Sequence, residues 1–119
     1  MSTDTPQIRV VSFSDSEWNE AARNPDEVEP PGEESTAAVS PDGKFSVGFW
    51  RRDVQRRPFV RPYHEVAYIV QGEVEVTLED GSVLRAGPGD ILDTPKGSKG
   101  YWQSLSPVIK LWAIYEDER

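Results

Sequence analysis

From Phe45 onward the chain reads as short alternating runs cut by turn residues, and this period of two narrows what it can fold into more than any other feature. Val74, Val76 and Leu78 alternate with Glu73, Glu75 and Thr77, which predicts a strand with one apolar face and one wet face. Phe45, Val47 and Phe49 alternate in the same way with Ser46, Gly48 and Trp50, and the next run is His64 to Gln71, ending at Gly72. Asp80-Gly81 predicts a two-residue reversal into Ser82-Val83-Leu84-Arg85, because glycine accepts the positive φ of such turns. Gly87-Pro88-Gly89 predicts a second tight turn, Pro95 stops Ile91 to Thr94, and Val108 to Tyr115 supplies a last strand. No stretch in this region has a 3.6-residue period, and there is no internal repeat, heptad or glycine-rich phosphate loop. The pattern predicts an antiparallel β domain over residues 45–119.

The first 44 residues differ in charge and texture. Ten acids stand against Arg9, Arg23 and Lys44, a balance of -7, whereas the remainder is nearly neutral at -1. Between Pro25 and Pro31 lie three prolines and three acids; proline removes a backbone donor, so this stretch predicts an exposed loop. Ahead of it, Ile8 to Val11 reads as a short strand, and Ser16 to Ala22 as one or two helical turns capped by Ser14 or Asp15. With 119 residues in all, the expected organisation is one β domain and an irregular acidic N-terminal extension, residues 1–44, packed on it.

Several functions fall away on residue type. There is no Cys, which excludes disulfides, thiolate zinc, iron–sulfur clusters and a Cys nucleophile, and the single His64 excludes a multi-histidine metal site within one chain. The longest apolar runs, Val66 to Val70 and Leu111 to Tyr115, are far short of the roughly 20 residues of a spanning helix. Met1 to Pro6 has neither the basic start nor the apolar stretch of a secretory signal, so the expectation is a cytoplasmic protein. A pI of about 4.6 argues against nucleic acid as a partner.

Two segments carry a resemblance. In the first, Glu65 is followed after six residues by Gly72; in the second, Gly89 is followed after five by Pro95 and then by Gly97. Sixteen residues separate Gly72 from Gly89. Order and spacing resemble the two motifs of the cupin superfamily, G-x5-H-x-H-x3,4-E-x6-G and G-x5-P-x-G-x2-H-x3-N. Tyr63-His64-Glu65-Val66, Ile69 to Val74 and Lys96 to Trp102 are similar to the small cupins related to ureidoglycine aminohydrolase and the ethanolamine-utilisation cupin, which also tend to carry Trp and Lys at the positions of Trp50 and Lys110. The resemblance covers about Phe45 to Tyr115 and implies a double-stranded β-helix, the RmlC-like jelly-roll barrel, with a ligand cavity at one mouth.

The metal ligands of the typical pattern are replaced. The His-x-His positions hold Phe59 and Arg61, or Pro58 and Val60 with the longer gap; Gly100 stands for the second-motif His and Ser104 for the Asn, so only Glu65 survives. One carboxylate does not supply the three or four donors of a transition-metal site, and the expectation is no tightly held metal of the usual cupin kind and no other cofactor, with a weakly bound divalent metal left open. Strand alternation favours an outward His64 that shares no ligand with Glu65, whereas a local bulge would swap the faces and turn it inward.

Glu65 has two readings: a cavity acid or base, or a salt bridge between strands. By family position Lys110 is the partner the resemblance implies for it; the other reading of Lys110 is a lysine solvated at a strand edge. Trp50, Tyr63, Trp102 and Trp112 read as core or as walls of a pocket for a planar ligand. Arg51, Arg52, Arg56, Arg57 and Arg61 either gather an anionic substrate or, the favoured reading, neutralise the acidic extension. The expected function is a small-molecule-binding cupin acting on a small polar or carboxylated metabolite, an isomerase, lyase or hydrolase if it is an enzyme, with Glu65 as acid/base and Lys110 and Arg52 as charge partners. A non-catalytic binding or assembly module is the alternative, and a metal-dependent cupin with atypical ligands the second alternative. A homodimer is expected, through a face carrying Val66, Tyr68 and Val70.

Overall fold

The structure, a computed structural model, describes residues 6–21 and 31–117. Among them are one 3-10 turn, Phe13–Asp15, and ten strands: β1 Asn19–Glu20, β2 Glu33–Val39, β3 Phe45–Arg52, β4 Gln55–Val60, β5 His64–Gln71, β6 Val74–Leu78, β7 Val83–Ala86, β8 Ile91–Thr94, β9 Lys99–Ser104 and β10 Val108–Tyr115. They form two antiparallel sheets, β1-β2-β3-β10-β5-β8 and β4-β9-β6-β7, whose inner faces pack together as in a jelly-roll barrel. Alternation decides which side chains go inside. Val74 and Val76 are buried, as are Ala67 and Ile69 on β5 and Val108 and Trp112 on β10. Trp50 meets Trp102 edge to face across the sheets, ring centroids 5.7 Å apart, joining the two layers in the middle of the core.

The turns show how local chemistry sets register. The β6–β7 hairpin closes through a three-residue loop rather than the expected two: the Leu78 N–H donates to Ser82 O and the Gly81 N–H to Leu78 O, with Gly81 at φ +88°. A turn centred on Glu79-Asp80 followed by a left-handed glycine matches the strand twist and adds one residue. Asp80 Oδ1 accepts from the backbone N–H and hydroxyl of Ser82, fixing the loop. Gly72, the last residue of the first motif, has φ +90°, and a Cβ there would overlap the Pro107 carbonyl.

Ahead of Phe45 the structure departs from expectation in three places. Ile8 to Val11 is exposed and forms no strand; it is tied to β2 by Arg9, whose Nη2 donates to Ala37 O. No helix forms over Ser16–Ala21: Trp18 instead packs against Phe13 and beneath the Arg51 guanidinium, 4.0 Å from its ring centroid, and these contacts favour extended backbone over helix. Glu33–Val39, to which the sequence pattern assigns nothing, is a full strand paired with β3. The Pro25–Pro31 loop lies outside the described residues except for Pro31.

Candidate functional site

The inward side chains of three strands converge at one end of the barrel. On β5, Glu65 is inward and His64 outward, where Nε2 of His64 lies 2.6 Å from Asp93 on the sheet's outer face. Lys110 on β10 is opposite Trp50 of β3. Its Nζ donates to Glu65 Oε2 at 2.8 Å and stands over two indole faces, 4.9 Å from the Trp50 ring and 4.7 Å from Trp102. Both partners are buried, their side chains 8% and 6% exposed. Arg61 completes the cluster from the loop after β4. That loop is tied to the one before β9, since the Arg61 N–H donates to Ser98 O and the Gly97 N–H to Arg61 O. Its guanidinium lies over Phe59, donates to Thr94 Oγ1 at 3.0 Å, and comes within 3.5 Å of Glu65 Oε2.

These groups border a cavity of about 340 Å³. Glu65, Lys110, Trp50, Tyr63, Trp102 and Trp112 all line it, so six of the seven residues singled out from sequence come together. Arg52 does not. It sits two residues beyond Trp50 along β3, roughly 7 Å further toward the opposite end, and it borders a separate surface groove with Glu33 and Asp53. The arginine cluster is thus divided. Arg51 pairs with one acid of the N-terminal extension, Glu33, at 2.9 Å, Arg56 stacks outside on Tyr101, and Arg57 and Arg61 reach the cavity. Glu34 also lines the cavity, a residue the sequence hides inside a run of acids.

Burial pushes the Glu65 carboxyl up, but attraction to Lys110 and Arg61 and the Lys110 hydrogen bond prevail, and it lies below the ordinary carboxylate value. Burial pushes the Lys110 ammonium down; Glu65 opposes this and Arg61 and Arg57 add to it, leaving Lys110 easier to deprotonate than a solvated lysine. Burial and then the Glu65 charge raise the Tyr63 phenol.

The donor set does not suit a divalent metal of the cupin kind. Glu65 is already engaged by two cationic groups, and among the described residues no three His, Cys, Asp or Glu side chains cluster. At Gly100, the position of the second-motif His, any Cβ would overlap the Thr77 carbonyl of β6, so the backbone itself leaves no room for a ligand there.

Comparison with known proteins agrees with this architecture. The chain matches the family described as the EutQ-like cupin domain over residues 39–112. A putative ethanolamine utilization protein Q from Salmonella typhimurium superimposes with TM-score 0.78 at 22% identity, covering 93% of this chain and 88% of its own. A DUF861-family protein from Thermotoga maritima is 34% identical over 56% of this chain and 76% of its own, with TM-score 0.55. The polyketide cyclase RemF from Streptomyces resistomycificus gives TM-score 0.73 at 18% identity, covering 92% and 80%. No curated protein matches the sequence. Motif spacing, barrel topology and the match over more than half its length agree: the chain belongs to the EutQ-like cupin domain family.

Proposed function

We propose that the protein binds a small carboxylated metabolite in this cavity and moves a proton to or from it through the Glu65–Lys110 pair, without a divalent metal. The observation that carries this reading is the buried Lys110 ammonium, held 2.8 Å from Glu65 between two tryptophan faces at the cavity wall. Arg57 and Arg61 offer donors in the fork geometry that suits a carboxylate. The indoles and Phe59 give a planar ligand contact area and keep water out. Because Glu65 stays ionised and the lysine is the group pushed toward neutrality, Lys110 carries the exchangeable proton, and Glu65 orients it and balances its charge. This reverses the roles expected from sequence, with Glu65 as acid/base and Lys110 as partner. A positioned proton donor of this kind contributes roughly 10²–10⁴-fold, enough for an isomerisation, an elimination or the hydrolysis of an activated bond.

The test is a panel of small carboxylates titrated against wild type, Glu65→Gln and Lys110→Met, followed by tryptophan fluorescence and by turnover of any ligand that binds. Both variants should weaken binding at least tenfold and abolish turnover; variants that match wild type in both refute the reading.

We further propose that a second copy of the chain covers the outer face of the six-stranded sheet. Tyr68, Val70 and Ile91 are 43%, 48% and 63% exposed there. Tyr68 is paired with Ile91 on one side and Leu111 on the other, so the apolar surface is continuous. Light scattering should return a dimer at micromolar concentration; a monomer refutes the proposal.

A further inference from the structure

Glu34 lies on β2, outside the segment that matches the family, yet strand register delivers it to the cavity. Glu34 is opposite Trp50, and Trp50 is opposite Lys110. The three form one row across neighbouring strands, and at about 4.8 Å per strand the backbones of Glu34 and Lys110 stand roughly 10 Å apart. The Glu34 side chain lines the same cavity as Glu65 and Lys110. Glu65 is gripped by Lys110 and Arg61, whereas among the described residues no ion pair holds Glu34.

The charged and titratable side chains that line the cavity with it come from elements other than its paired strands β1 and β3, which place Asn19 and Trp50 opposite it: Lys110 from β10, Glu65 from β5, Arg57 from β4, and Arg61 and Tyr63 from the loop between β4 and β5. With Glu34 ionised, three cations face two carboxylates; with Glu34 protonated, they face one. An entering anion is therefore attracted most when Glu34 carries a proton, and an ionised Glu34 facing a bound carboxylate would repel it at short range. Burial pushes the Glu34 carboxyl above its ordinary value, Lys110 pulls it back, and Glu65 raises it further.

We propose that the cavity takes up its carboxylated ligand together with one proton from solvent, held on Glu34, whose O–H donates to the bound carboxylate. This rests on the reading of the cavity as a carboxylate site. It makes Glu34 a selector between anions and cations, supplied by the N-terminal strand rather than by the barrel motifs. Only one bond changes: the O–H of Glu34 forms with a proton from solvent as the ligand enters and breaks, returning the proton to solvent, as the ligand leaves.

Calorimetric titration of benzoate tests this, run in two buffers of different ionisation enthalpy from about pH 5 to about pH 8, a range in which the probe itself is ionised. Wild type should take up a fraction of a proton, and its affinity should fall up to tenfold per pH unit once Glu34 is ionised in the free protein. Glu34→Gln should bind with no proton uptake and little pH dependence, and Glu34→Asp, which keeps a titrating carboxyl, should restore both. A wild type that binds without proton uptake, or a Glu34→Gln protein that keeps the wild-type uptake and slope, overturns the inference and leaves the carboxylate site standing. Failure of benzoate to bind wild type at any of these pH values overturns both.

Discussion

The Glu65–Lys110 pair buries two opposite charges against each other, and a double-mutant cycle measures what they contribute together. Glu65→Gln removes the negative partner and leaves the Lys110 ammonium buried against two indoles, with Arg61 close by. Breaking a buried pair from one side typically costs about 3–5 kcal/mol, because the remaining charge is uncompensated. Lys110→Met strands the carboxylate instead, but Arg61 at 3.5 Å remains as a partner, which places this variant near the lower end, about 3 kcal/mol. The double variant removes both charges in similar volume and should cost only about 1–2 kcal/mol, less than either single change. Urea unfolding at neutral pH reads these values: with a slope of roughly 1–3 kcal/mol/M, each single variant should lower the midpoint by about 1–5 M and the double variant should recover much of that. Single costs below about 1 kcal/mol, or a double cost equal to the sum of the singles, would refute the claim that the two groups form one desolvated unit.

Other consequences are open to simpler measurement. Glu34 and Glu65 should act on stability in opposite directions with pH. The raised Glu34 carboxyl binds its proton more tightly folded than unfolded, so its contribution is full below its ordinary value and is lost as pH rises through the folded one. The lowered Glu65 carboxyl contributes fully above its ordinary value and loses that contribution as pH falls through the folded one. Glu34→Gln should therefore raise the melting temperature at neutral pH relative to its effect at pH about 4; a difference of the opposite sign contradicts the assignment. Gly48→Ala should destabilise by about 1–3 kcal/mol in thermal or urea unfolding, since a Cβ there overlaps Ser35 O and the Trp112 ring and forces the cavity wall to shift. His64→Ala should cost no more than about 1 kcal/mol and leave ligand binding unchanged, because its partner Asp93 is on the outer face and both are well exposed.

Much of the barrel is legible in the sequence because period-two alternation and turn residues are local signals. Val74, Val76 and Leu78 announce which face is buried, Gly72 and Gly89 mark positive-φ corners, and the same alternation turns Glu65 inward and His64 outward. The site is legible only as far as it lies on those strands. Glu34 escapes because Glu33-Glu34-Ser35-Thr36-Ala37-Ala38-Val39 shows no apolar alternation; backbone pairing with β3 makes it a strand, a tertiary effect that no window of sequence contains. Arg57 and Arg61 are visible only as members of a basic cluster, and what divides them from Arg51 and Arg52 is strand position and direction, not residue type. Trp18 is misread for the same reason, since its contacts with Phe13 and Arg51 come from distant chain.

The most direct test of the carboxylate site is a crystal structure of the protein soaked with 4-bromobenzoate, located by the anomalous signal of bromine. The account predicts a peak inside the cavity walled by Trp50, Trp102 and Trp112, with the carboxylate toward Arg61 and Lys110. A peak confined to the groove beside Arg52, or a cavity holding only water at saturating probe, would contradict it.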